Sequence, residues 1–225
     1  MLKEKTALLL VGSPKKSNSS SDSIGSYLLD KLSENEYPTK KLNILSSLSN
    51  DADIETFLGA VNSSELIILT FPLYVDSLPA GVIKSFELIA SHREKNKITS
   101  APKMIAIANC GFPESSQTRT ALDICQCFAN SVGFKWNGSL ALNGGVIAGR
   151  PLKEQSGILK NVIKSLDLTC EALVNNNPIP IEAENLMEKQ FIPSWIYTFM
   201  GNKGWKKAAK KNGCKGELYA KPYEE

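Results

Sequence analysis

The sequence predicts an α/β fold in which a doubly wound, five-stranded parallel sheet is followed by a C-terminal helical extension. Three observations carry that prediction. Strand-like apolar runs recur along the chain, segments with helical spacing separate them, and each run stops in a loop rich in Gly, Pro, Ser or Asn. A parallel neighbour can be reached only by a crossover, and that crossover is usually a helix.

Thr6 to Val11 is almost wholly apolar, the pattern of a strand covered on both faces. It runs into Gly12-Ser13-Pro14 and a hydroxyl-rich stretch, and a helix follows with Ile24, Tyr27, Leu28 and Leu32 on one face. Pro38 to Leu45 reads as a second, shorter strand and Asp53 to Val61 as a second helix. Leu66 to Phe71 is a third strand, ending in Pro72-Leu73-Tyr74. The next helix places Val82, Ile83, Phe86, Ile89 and Ala90 inward. Met104 to Ala108 makes the fourth strand and stops at Asn109-Cys110-Gly111. Its helix turns Ala121, Cys125, Phe128, Ala129 and Val132 to the sheet. A fifth strand lies within Lys135 to Leu142 and ends at Asn143-Gly144-Gly145. The fifth helix carries Ile158, Leu159, Val162, Ile163, Leu166 and Leu173. Pro178 and Pro180 then break the pattern, which divides the chain into a domain of residues 1–177 and an extension of residues 178–225.

Composition narrows the class. The 225 residues are 42% hydrophobic and 22% charged, ordinary for a globular protein. The longest apolar runs are about ten residues, too short to span a bilayer. Glu4 and the brevity of Ala7 to Val11 argue against a secretory leader. Five scattered cysteines do not make a disulfide framework, so the expected compartment is the cytoplasm. The net charge of +3 is uneven: seven Lys and three Glu from Met200 onward leave 19 basic and 20 acidic residues in the remainder. A nucleic-acid binder shows a stronger overall imbalance, and none is expected as a partner. No membrane partner is expected either.

In an open α/β sheet, ligands bind beyond the carboxyl ends of the strands, where the strand order reverses. Three loops with unusual chemistry fall on that edge: Ser13 to Ser23, Pro72 to Asp76 and Asn109 to Phe112. The first sets Ser17, Asn18, Ser19, Ser20, Ser21 and Ser23 before a helix N-terminus. Free amides and the helix dipole favour a phosphate there. The loop lacks the Gly-Lys-Ser/Thr of a P-loop and the spacing of GxGxxG. A solvated loop whose last Ser caps the helix is the plainer alternative.

These loop residues carry a resemblance. Leu10 to Leu29 resembles the phosphate loop of the flavodoxin-like NAD(P)H-dependent FMN reductase family. Thr70 to Glu87, with Phe71-Pro72-Leu73-Tyr74-Val75-Asp76 and Lys84, resembles that family's second flavin loop and the helix after it. Asn109-Cys110-Gly111-Phe112 sits where its third loop meets the ring. The likeness covers residues 6–175 and implies a flavodoxin-like sheet with FMN as cofactor and NAD(P)H as co-substrate. It also implies roles. Ser13, Ser19 and Ser21 would hold the FMN phosphate, with Lys15 near it. The Ser run is longer than the family's loop, so the choice of hydroxyls stays open. Pro72, Leu73, Tyr74 and Val75 would line the ribityl chain and ring, and Asn109, Gly111 and Phe112 would flank the pyrimidine end. No side chain is assigned as catalytic, since the cofactor supplies the chemistry.

The remaining chemistry-bearing residues read as structural. Cys125 and Cys127, two apart on a helix, point to nearly opposite sides, and the other cysteines are far apart in sequence, so neither an iron–sulfur cluster nor another metal site is expected. The single histidine, His92, reads as a helix C-terminal residue. The tail is the other departure from a minimal domain. Phe191 to Met200 is rich in large apolar groups, and Lys203 to Lys211 reads as a basic helix ending at Asn212-Gly213. Three readings stand for it: an arm in a homodimer, a peripheral membrane contact, or a helix packed on its own domain.

Functionally, the leading reading is an enzyme that passes hydride from NAD(P)H through FMN to a small acceptor such as a quinone or flavin, as a homodimer. The alternatives are a flavodoxin-type electron carrier and a non-catalytic binding protein of the same fold. Carriers of this kind are strongly acidic, whereas residues 1–199 are close to neutral.

Overall fold

The five predicted strands form one parallel sheet in a computed structural model that describes residues 6–15, 18–145, 147, 151, 152, 157, 159–191, 193–221 and 223. Ser17, Ile158 and Ile192, which belong to segments singled out in the sequence, lie outside the described residues. The strands are β1 (Ala7–Val11), β2 (Thr39–Asn43), β3 (Leu66–Pro72), β4 (Lys103–Asn109) and β5 (Lys135–Leu142), in the spatial order β2-β1-β3-β4-β5. Five helices make the crossovers and the return: α1 (Ser20–Glu34), α3 (Asp51–Ser63), α4 (Ala80–Lys95), α5 (Arg119–Ser131) and α6 (Lys160–Val174). A one-turn helix, α2 (Ile44–Ser47), and two helices of the extension, α7 (Ile181–Met187) and α8 (Ser194–Lys211), complete the set.

Alternate strand residues feed two cores, one on each face. Leu9, Val11, Ile68, Ile105, Ile107 and Leu140 pack under α1, α6 and α7. Leu8, Leu10, Ile67, Leu69, Phe71 and Met104 pack under α3, α4 and α5. With both faces covered, a strand must be apolar at every position, which is why the runs are continuous rather than alternating. β2 is the exception, with Thr39, Lys40 and Lys41 exposed. It is an edge strand, and its lysines blunt the open edge against pairing with another chain.

Several details differ from the sequence expectation. β2 stops at Asn43 rather than Leu45, because the Asn43 side chain accepts from the Ser46 amide and starts α2. Ile83 faces solvent, and α4 instead buries Arg93 near its end. That guanidinium donates to the carbonyl oxygens of Val132, Ile98 and Ser100 and lies over the Phe134 ring. Cys125 is buried and Cys127 exposed, as their spacing requires. His92 sits in the last turn of α4, where its carbonyl accepts from Asn96.

The extension is not uniform. Ile179, Ala183 and Met187 belong to the core beneath α6 and β5, and the Ser165 hydroxyl donates to the Ala183 carbonyl at 2.6 Å. Gly138 in β5 makes room for this segment. Its φ is +115°, and a Cβ there would meet Ile179 Cβ at 2.9 Å. Residues 178–187 therefore complete the sheet's cover, whereas most of α8 projects from it.

Helices α1 and α6 are joined by Tyr27, whose hydroxyl donates to Asp167 Oδ1 at 2.8 Å. Burial first, then that hydrogen bond and the Asp167 charge, pushes the phenol well above its usual range. A raised tyrosine favours the neutral form in the folded state. Its contribution is therefore complete below the unfolded value of about 10 and is lost as pH climbs past it. Tyr27→Phe is expected to cost about 1.5 kcal/mol in urea unfolding at neutral pH. The variant should also lose stability less steeply than the parent above that pH. Equal steepness would show that Tyr27 does not govern the alkaline limb.

Candidate functional site

The order β2-β1-β3 places the reversal of strand order between β1 and β3. From there α1 leaves onto one face and α4 onto the other, so the loops after β1 and β3 diverge, the arrangement that leaves a ligand crevice in open α/β sheets. Gly12 closes its floor by donating its amide to the Thr70 carbonyl at 2.7 Å.

The first loop is organised by its serines. Ser19 caps α1, accepting from the Asp22 amide at 3.1 Å, while its carbonyl accepts from the Ser23 amide. Ser20 and Ser21 occupy the first two positions of the helix, where backbone amides have no intrahelical acceptor. Ser13 is buried, and its oxygen accepts from the Lys15 amide at 3.3 Å. Asn18 has φ +55°, which bends the chain into the helix start. Lys15 itself is exposed and borders a cleft of about 110 Å³ shared with Val11, Asp22, Lys41 and Asn43. Asp22 would repel an anion here, but Lys41 Nζ sits 3.0 Å from its Oδ1 and offsets that charge.

Asn109 ties the three loops together. Its side-chain oxygen accepts from the Ser21 hydroxyl at 2.7 Å, and its carbonyl accepts from the Leu73 amide at 2.9 Å. The Ser21 hydroxyl is thereby committed to the third loop, which leaves the Ser21 backbone amide as its group at the loop mouth. This contact spans 88 positions in sequence, and nothing local announces it. In the second loop, Tyr74 and Ser77 exchange backbone hydrogen bonds across a two-residue turn at Val75 and Asp76, both with positive φ, +48° and +59°. Pro72 and Leu73 are half-buried, whereas Tyr74 is 47% and Val75 97% exposed.

The third loop is braced from its far side. Gly144 donates to the Phe112 carbonyl and Gly145 to the Cys110 carbonyl, so the Asn143-Gly144-Gly145 turn after β5 belongs to the site's support. Asn143 is buried and donates to the Glu188 carbonyl, and its Oδ1 has no partner among the described residues. From the extension, Tyr197 donates to the Gly111 carbonyl at 2.7 Å and Ser194 to Glu114 Oε1 at 3.0 Å. Sequence reading missed both contacts, since a hydroxyl in an apolar tail carries no positional signal. Phe112 is half exposed and Gly111 exposed. Cys110 is buried between them and Asn109. Burial pushes its thiol up, so it stays protonated at neutral pH.

All eleven residues singled out from the sequence thus fall on the carboxyl edge of the sheet. Ser13, Lys15, Ser19 and Ser21 gather at β1, Pro72 to Val75 at β3, and Asn109, Gly111 and Phe112 at β4. A cavity of about 340 Å³ lies elsewhere, at the amino edge between Tyr37, Glu65, Pro102, Lys103 and Lys135. No convergent loops frame it, and the switch-point crevice remains the better candidate.

The architecture recurs in solved structures. An NADH:FMN oxidoreductase in its apo form aligns with TM-score 0.58 at 13% identity, covering 84% of this chain and 96% of its own. An FMN-dependent NADH-azoreductase from Bacillus anthracis in complex with FMN aligns at 0.56 and 15%, covering 76% of this chain and 100% of its own. A flavodoxin from Streptococcus pneumoniae TIGR4 aligns at 0.53 and 14%, covering 76% and 99%. The fold is flavodoxin-like. No protein-family model and no curated protein sequence matches the chain. Within the flavodoxin-like fold, the donor set at β1 suits a monophosphate. It combines the amides of the first two positions of α1, the Ser13 hydroxyl and Lys15, and the neighbouring carboxylate is already paired.

Proposed function

We propose that the chain is an FMN-dependent oxidoreductase that takes reducing equivalents from NADH or NADPH and hands them to a small acceptor, a quinone or a free flavin. The observation that carries this reading is the convergence of three strand-end loops on Asn109, with an amide-rich loop on one side and half-exposed aromatics on the other. The names of two flavodoxin-like neighbours, an NADH:FMN oxidoreductase and an FMN-dependent NADH-azoreductase, support it.

Bound FMN supplies the redox chemistry. The chain's own work is to bind and orient. The α1 amides and Ser13 would hold the phosphate, and the Lys41–Asp22 pair lowers the repulsion it meets. Ser21 fixes Asn109, which sets the height of the third loop against the second. Tyr74 and Phe112 would flank the ring, and Gly111 would let the backbone approach its pyrimidine end.

The decisive test is anaerobic mixing of FMN-loaded full-length chain with excess NADH or NADPH. The flavin absorbance should bleach within minutes and recover on adding a quinone. If neither nucleotide bleaches it over hours while dithionite does, the electron-carrier reading replaces this one.

A further inference from the structure

Helix α8 leaves the body after its first turn. Ser194 and Tyr197 are half-buried at the third loop, Ile196 is half-buried too, and from Thr198 to Lys211 every residue but Ala209 is exposed. Nothing lies within 4 Å of where a Cβ would stand at Gly201 or Gly204. A helix with two internal glycines and no packed face is marginal in water, so this one is built to fold against something.

Its surface says what. Trp195, Phe199, Met200 and Trp205 are each more than 60% exposed, and Tyr219 and Tyr223 beyond the helix are almost fully so. Ser194 to Lys211 contains five Lys and no Asp or Glu. At 100° per residue, Trp195, Ile196, Phe199 and Met200 share one side with Lys203, Lys206, Lys207 and Lys210, whereas Trp205 falls on the opposite side. Exposed aromatics beside lysines suit a lipid headgroup boundary, where rings enter the acyl margin and ammonium groups reach the phosphates. A second copy suits it less. Residues 1–199 carry 19 basic and 20 acidic groups and offer almost no net attraction, and two facing α8 helices would repel. No described helix is long and apolar enough to cross a membrane, so the contact is interfacial.

We propose that α8 and the tail behind it dock the protein on an anionic phospholipid surface. The Tyr197 and Ser194 contacts set that surface beside the carboxyl edge of the sheet. The inference is independent of the flavin reading, and its test uses no flavin.

Full-length chain should float with vesicles of phosphatidylcholine mixed with phosphatidylglycerol, but not with phosphatidylcholine alone. Binding should raise helicity and shift tryptophan emission to the blue. Each lysine near an anionic leaflet strengthens partitioning roughly fivefold. Replacing Lys203, Lys207 and Lys210 together by Gln should therefore weaken it roughly a hundredfold. Trp195→Ser with Phe199→Ser should abolish the blue shift. These residues are exposed, so the variants should fold as the parent does. Binding that ignores lipid charge overturns the proposal. So does a lipid-free dimer that the Trp195→Ser, Phe199→Ser variant converts to monomer, with no vesicle binding; that result makes a second copy the occupant.

Discussion

Ser13→Ala is expected to weaken FMN binding about 10- to 100-fold while leaving riboflavin almost unaffected, because one charge-assisted hydrogen bond to phosphate is worth about 1.5–3 kcal/mol. Ser21→Ala is expected to behave differently. Its hydroxyl is spent on Asn109 Oδ1 at 2.7 Å, so its loss loosens the third loop rather than the phosphate site. FMN and riboflavin should then weaken together. The double variant should show both effects, each close to its single-site size, since the residues act on opposite ends of the ligand. Flavin fluorescence titration with the two ligands separates the cases. A loss shared equally by both ligands in Ser13→Ala would remove the phosphate from the first loop.

Gly12→Ala is expected to cost about 3 kcal/mol, the upper end of what overpacking a core costs. The added carbon would stand 2.5 Å from Val82 Cγ2, 3.0 Å from Phe71 Cβ and 3.2 Å from the Thr70 carbonyl oxygen. Two of these three neighbours are held by backbone and cannot rotate away. Relief would require α4 to move off the sheet or β1 to part from β3, and either opens the crevice floor. Gly59 supplies the control. It lies within α3 with nothing near its missing Cβ, so Gly59→Ala should gain about 0.5–1 kcal/mol from helix propensity. Urea midpoints moving in opposite directions are the expected result. Equal small changes would mean that the β1–β3 junction yields easily.

The strands were legible because a sheet covered on both faces demands unbroken apolar runs. Thr6 to Val11, Leu66 to Phe71 and Met104 to Ala108 could hardly be anything else. The loops were legible as places, since each run ended in Gly, Pro or Asn. What joins them was not. Ser21 meets Asn109, and Tyr197 meets Gly111, only after the sheet has brought distant segments together. Arg93 was hidden because backbone carbonyls hold its guanidinium, and carbonyls have no sequence signature. In the tail, the expected basic helix over Lys203 to Lys211 is the second half of a longer one starting at Ser194. Its aromatic first half lacks a buried stripe, and without one the helical period left no trace to read.

The place of α7 also has a consequence for how the chain can be cut. Ile179, Ala183 and Met187 fill the space between α6 and β5, so a fragment ending near Asn177 would lose that packing and uncover part of the core beneath α6. Such a fragment should collect in inclusion bodies. Lys189 is exposed just past α7, and every site residue lies upstream of it. Brief trypsin treatment should accordingly remove the projecting helix, by cuts at its own exposed lysines and at Lys189. The product would be a shortened, soluble protein that keeps its three loops, and whose cofactor retention can be compared directly with the uncut chain.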